Sequence, residues 1–157
     1  MHYDREKALR YAKAWALRRN PAYGNFDALG GDCTNFVSQC LYAGAGVMDF
    51  SSPVYGWYYL SLDDRTPSFT GVEYLWHYLL RKDRPGPYGH RVSHQAALGG
   101  DVVQLGDETG DFYHSLLILT PYPDIRVAAH TRDVWMKPLH EYTFHTARFF
   151  RIDGVSE

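Results

Sequence analysis

Cysteine is scarce in this chain: Cys33 and Cys40 are the only two in 157 residues. So few exclude a disulfide-stapled scaffold, in which cysteine is dense. No apolar run approaches the ~20 residues that cross a bilayer. The N-terminal stretch "MHYDREKALRYAKAWALRRN" also lacks the apolar centre of a signal peptide. The expectation for the chain as written is a cytoplasmic protein with no membrane partner, with secretion in a longer or processed form left open. Cations are not in excess either. Lys and Arg total 16 against 18 Asp and Glu, for a formal net charge of -2, and no clustered basic face points to nucleic acid. CxxC and HExxH spacings are missing, as are internal repeats and low-complexity segments.

What is present suits one globular domain over residues 1–157, since 45% of the residues are hydrophobic. Aromatic residues make up 16%, including 13 Tyr and 4 Trp, and serve a sugar or peptide cleft as readily as a core. Asp4 can cap a first helix whose apolar face is Ala8, Leu9, Ala12, Trp15 and Ala16. Asn20 before Pro21 stops it. From Cys33 a second helical pattern runs through Phe36, Val37, Cys40 and Leu41 to the "AGAG" at Ala43–Gly46. The segment from Ser51 to about His94 is irregular and aromatic, with one helix expected in "TGVEYLWHYLLRK" capped by Thr70. Then come four strand-like runs, "DVVQLG", "FYHSLLILT", "IRVAAHT" and "TARFFRID". Helices first and strands later predict an α+β domain with a mainly antiparallel sheet.

The stretch "GGDCTNFVSQC" carries the chemistry. Seven residues on a helix rise ~10.5 Å, and a disulfide needs Cα atoms within ~7 Å, so Cys33 and Cys40 cannot bond to each other. Cys40, deep among apolar residues, reads as a small core residue. Cys33 stands at the first turn, where unpaired N–H groups and the helix dipole favour a thiolate. Asp32 beside it opposes a second negative charge, or serves as the N-cap. Spacing alone leaves Cys33 open between nucleophile and core residue.

A cysteine nucleophile needs a base, and the chain has eight histidines. His2, His77, His90, His94, His140 and His145 lie in terminal, helical or turn-rich sequence and read as surface or structural. His114 opens the apolar run "HSLLIL", and His130 closes "IRVAAH". If their strands pair, both can reach one site, where His114 would take the thiol proton and a polar group would orient it. Two hydrogen-bonded histidines at sheet edges fit the same residues.

"DCTNFVSQCL" at Asp32–Leu41 resembles the motif of the putative amidase domain family, related to the NlpC-type and CHAP cell-wall peptidases with their papain-like fold. "YDREKALRYAKAWA", "WYY", "SFTGVEYL", "GDVVQL", "FYHSLLI" and "AHTRD" match other parts of the family in order, with Phe69 where a tryptophan is expected. The resemblance implies a Cys33-bearing helix packed on an antiparallel sheet that carries His114. It implies amide hydrolysis through a thioester, with Cys33 as nucleophile and His114 as base. His130 takes the place of the third polar residue, with Asp133 as its rival. The N–H of Cys33 would supply one oxyanion donor and Tyr23 a second, Asp32 belongs to the same substrate and oxyanion region, and Trp57 with Tyr58 and Tyr59 could line the cleft. No cofactor or metal is implied, and the partner would be a peptide or peptidoglycan fragment in the bacterial cell wall. Two other classes compete: a non-catalytic peptide- or glycan-binding module, and a metal site built from one Cys and two His. Acyl transfer to an acceptor other than water uses the same residues. Nothing in the sequence points to an oligomeric state.

Overall fold

The computed structural model describes residues 1–157. Helix α1 (Arg5–Trp15) begins where Asp4 accepts the Lys7 N–H at 3.1 Å and buries Ala8 and Ala12. Small side chains on that face let it lie close to helix α2 (Cys33–Ala45). Helix α2 is buried continuously from Cys33 to Leu41 and ends at Gly46, whose φ of 71° suits a residue without Cβ. Its position against α1 depends on Gly44. A Cβ there would stand 2.6 Å from the Tyr3 ring and 2.8 Å from the Asp4 carbonyl oxygen. Gly44→Ala is therefore expected to destabilise the fold by about 1–3 kcal/mol, despite the better helix propensity of alanine. A urea melt checks this, and an unchanged midpoint would show that the helices can separate freely.

Between the helices and the strands come a short hairpin, β1 (Tyr59–Ser61) and β2 (Asp64–Arg65), and two helices, α3 (Pro67–Thr70) and α4 (Val72–Leu79). Thr70 closes α3, and Gly71, not Thr70, precedes α4. The main sheet contains β3 (Gly86–Val92), β4 (Val102–Gly106), β5 (Phe112–Thr120), β6 (Arg126–Ala129), β7 (Val134–Pro138) and β8 (Thr146–Ser156). Its order is β3-β8-β4-β5-β6-β7, and every pairing is antiparallel. The four strands expected from apolar runs are all present. Strands β3 and β7 were not expected, because "GPYGHRV" is rich in turn formers and "VWMKP" is short and ends in proline. Both are edge strands, β3 paired with the longer β8 and β7 with β6.

The sheet separates two apolar layers. Val102, Leu117, Leu119, Ala128, Phe150 and Ile152 face the helices. Val103, Leu105, Leu116, Ile118, Val127 and Phe149 face the other way, under the short helix Leu139–Glu141. Period-two alternation along each strand thus assigns every side chain near the start of β5 to one layer or the other. Arg5 reaches from α1 to the buried Asp101 at 2.7 Å and fastens the helices to the sheet.

Candidate active site

Cys33 is the first residue of α2, 8% exposed, and α2 packs on β5. Its Sγ lies 3.8 Å from Thr34 Oγ1 and close to the backbone of Ser115. The helix start favours a thiolate and Asp32 opposes it. Burial pushes the thiol up, and the neighbouring Asp32 adds to the shift, outweighing the hydrogen bonds from Ser115 and Thr34. Cys33 rests as a neutral thiol. Cys40 is fully buried and is also pushed up by burial, and both cysteines are free.

Asp32 occupies the N-cap position but does not cap with its side chain. Its carboxylate accepts the Phe26 N–H and the Asn35 amide, each at 3.0 Å, and lies 2.6 Å from His130 Nδ1. Burial raises its pKa, but these hydrogen bonds outweigh burial and hold it below the usual carboxylate range. His130 is 1% exposed, places Nε2 2.8 Å from the Trp15 carbonyl oxygen and stacks on Phe36 at 4.1 Å. Both ring nitrogens therefore lie within hydrogen-bond distance of oxygen atoms. Thr131 Oγ1 completes the clamp by accepting the Asp32 N–H at 2.8 Å. Asp133 lies farther out, paired with Arg19 at 2.7 and 3.0 Å.

His114 does not join this group. Strands β5 and β6 do pair, but the register sets Leu117 opposite Ala128 and Ile118 opposite Val127. Carried on, it puts His130 opposite Ser115, one residue away from His114. Ser115 faces the helices, its Oγ 2.9 Å from Thr34 Oγ1. His114 faces the second layer, 5.9 Å from the Tyr142 ring. No hydrogen bond links it to Cys33, His130 or Asp133. Burial, with Lys137 nearby, takes its pKa down to about 4, so the ring is neutral at pH 7. No three of the chain's His, Cys, Asp and Glu side chains converge as metal ligands, so the Cys-and-two-His cluster does not form.

The depressed His114 value has a stability consequence. The unfolded ring titrates near 6.5, so below that pH the unfolded chain binds the extra proton and the folded chain does not. The contribution of His114 is fully present above pH 6.5 and is lost as pH falls towards 4. About 3 kcal/mol is expected over that interval. Urea melts across that range should show the slope in the wild type and a flatter profile in His114→Leu. A slope unchanged by the substitution would assign the titration elsewhere.

Trp57, expected to line a cleft, is fully buried, packs on Phe69 and donates from Nε1 to Ser38 Oγ at 3.3 Å. Tyr58 and Tyr59 are buried too. The aromatic segment is core packing over α2. Tyr23 stacks on Phe69 at 6.1 Å, half-buried. A polar row went unread in the sequence. Thr34, Ser115, Gln104, Arg148 and Glu73 link in series, through bonds of 2.9, 3.1, 2.7 and 2.8 Å. Its signal was polar residues at core-facing positions of apolar strands: the Gln of "VVQLG", the Ser of "HSLLIL" and the Arg of "ARFFR".

Fold and site define an α+β protein whose buried cysteine opens the central helix against an antiparallel sheet. The chain belongs to the family described as "Putative amidase domain", whose model matches residues 2–152, and this assignment suggests a hydrolase acting on amides. It is also 34% identical over 120 residues to the uncharacterized protein YhbB of Bacillus subtilis (strain 168). That match covers 74% of this chain and 37% of the relative, so the chain spans little more than a third of the relative's length. No solved structure matches the chain.

Proposed function

We propose that the chain is a cysteine amidase that cleaves a peptide amide, with Cys33 as nucleophile, and that its fold is of the papain-like, NlpC type. The observation that carries this reading is the place of Cys33. Its sulfur sits at the open N–H groups of the α2 start and against the first residues of β5. In that setting a neutral thiol gives its proton to a neutral imidazole as it attacks, rather than existing beforehand as a thiolate. His114 has the correct protonation state for a base. It must, however, turn to the helix side in the substrate complex. The ladder between β4 and β5 is already irregular between Leu105 and Gly106, beside His114. A one-residue shift of a strand exchanges its two faces.

The steps then balance simply. His114 takes the thiol proton and Sγ bonds to the carbonyl carbon. The oxyanion accepts the Cys33 N–H, with Tyr23 as a second donor. His114 protonates the departing amine as the C–N bond breaks, and water, deprotonated by His114, cleaves the thioester. His130 and Asp133, the two candidates for orienting His114, serve the α2 start and Arg19 instead.

Cell-wall peptide is the proposed substrate class, on family grounds. A non-catalytic binding module is the second reading, favoured by the raised thiol pKa and by His114 facing the other layer. Incubation with muropeptides and simple peptide amides, followed by mass analysis, separates the readings. Release of free amine and acid supports hydrolysis, and an acyl group moved to an added amine indicates transfer. Retention of intact peptide by the protein would favour the binding module.

A further inference from the structure

A cavity of about 300 Å³ lies on the second face of the sheet, between the β6–β7 hairpin and the loop after β7. His114, Thr131, Arg132, Lys137, Glu141 and Tyr142 line it. We propose that this cavity binds the side-chain carboxylate of an acidic peptide while His114 faces away from Cys33.

Three observations converge on it. The first is charge: Lys137 and Arg132 have no carboxylate within ion-pair distance, although the chain forms eleven other such pairs. Against them stands only Glu141, so the lining is cationic by one charge while His114 is neutral. The Lys137 ammonium is held in place 4.1 Å from the Tyr142 ring centre. Fixing a cation over an aromatic face lowers the entropy lost when an anion docks.

The second is the backbone. The chain has three non-glycine residues with positive φ: Thr131, Arg132 and Met136, at 60°, 64° and 62°. All three lie on the hairpin that walls the cavity, and the β6–β7 register shifts between Val127 and Ala129. Such conformations cost of order 1–3 kcal/mol each and gather at ligand sites. Here they present Arg132 and Lys137 to one space.

The third is His114 itself, a half-buried ring with no hydrogen-bond partner on either nitrogen. A neutral imidazole beside two cations offers an N–H to the second oxygen of a carboxylate. Binding needs no reaction at Cys33, but it shares His114 with the proposed function, so a docked carboxylate holds that ring on this face. Thr131 also connects the two, since it lines the cavity and accepts the Asp32 N–H next to the cysteine.

The test compares Ac-Ala-Glu-Ala-NH₂ with its glutamine counterpart by calorimetry and by the His114 ring signals in NMR. The proteins are the wild type, Cys33→Ala, Lys137→Met and Arg132→Gln. Lys137→Met keeps an apolar stem over Tyr142, which protects the fold. The glutamate peptide is expected to bind about tenfold tighter or more, to move the His114 resonances, and to do both equally in Cys33→Ala. Lys137→Met should erase the preference, and Arg132→Gln should weaken it. Equal affinity for the two peptides, a preference that survives Lys137→Met, or no binding of either up to millimolar concentration would overturn the assignment. Because Cys33→Ala is expected to bind normally, loss of turnover in that variant leaves the carboxylate site intact.

Discussion

Cys33→Ala is expected to abolish amide turnover, by at least about a thousandfold, and to leave the fold standing. The two halves of this expectation have separate causes. In the proposed mechanism the thiol bonds to the acyl carbon, so without it only the donors around the α2 start remain, and these stabilise charge without forming a bond. The structural cost is small because little is removed. Sγ lies near Thr34 Oγ1 and the Ser115 backbone, and Thr34 and Ser115 keep their hydroxyl contact with each other. Loss of one weak acceptor at a nearly buried position costs about 1 kcal/mol. Cys40→Ala shows the reverse. That residue is fully buried on the face of α2 packed into the helical layer, so stability falls modestly and turnover persists. Kinetic assays beside urea melts of the two variants check both halves. Full activity in Cys33→Ala would remove the nucleophile from the proposal.

His130→Ala is the substitution with the largest expected effect on stability, about 3–5 kcal/mol. The ring fills a space with 1% exposure, stacks on Phe36 and bridges Asp32 to the end of α1 through the Trp15 carbonyl. Removing it leaves the Asp32 carboxylate buried without its shortest contact and opens a cavity beside α2. His130→Gln, which keeps one donor, should recover part of the loss. The variant also separates two roles for this residue. If His130 oriented His114, its loss would lower kcat and leave the melt unchanged. A clamp on the α2 start predicts a large fall in stability first, with activity falling only as the start of α2 loosens. The pH dependence points the same way. The Asp32 pKa is lowered in the fold, so its stabilising contribution is present above the ordinary carboxylate value of ~3.9 and is lost as pH falls through the lower folded value. In His130→Ala that acid-side slope should shrink.

The comparison of sequence and structure turns on which residues carry a local signal. Helix α2 was legible because Cys33, Phe36, Val37, Cys40 and Leu41 repeat at helical spacing and Gly46 can adopt the left-handed cap. Strands β4, β5, β6 and β8 were legible from apolar runs bounded by turn formers. The pairing of β5 with β6 also followed from the short connection between them. The face of each residue did not follow. In "HSLLILT" every second residue is apolar on either phase, so nothing local decides whether His114 or Ser115 points at α2. The hydrogen bonds of Ser115 with Thr34 and Gln104 decide it. The same blindness applies to Trp57, since an aromatic run suits a cleft or a core until the neighbours Phe69, Tyr78 and Ser38 are placed. Asp32 and His130 are 98 residues apart in sequence, and their 2.6 Å contact depends on tertiary packing that no motif spacing encodes.

The central claim, that Cys33 carries the acyl group, is tested most directly by trapping the intermediate. The wild type is mixed with an acetylated peptide p-nitroanilide, quenched in acid within the first turnover, digested and mapped by mass spectrometry. The expected result is a thioester on Cys33, none on Cys40, and slower acylation in His114→Ala. Release of p-nitroaniline with Cys33 unmodified at every quench time, and turnover retained after Cys33 has been alkylated, would contradict it.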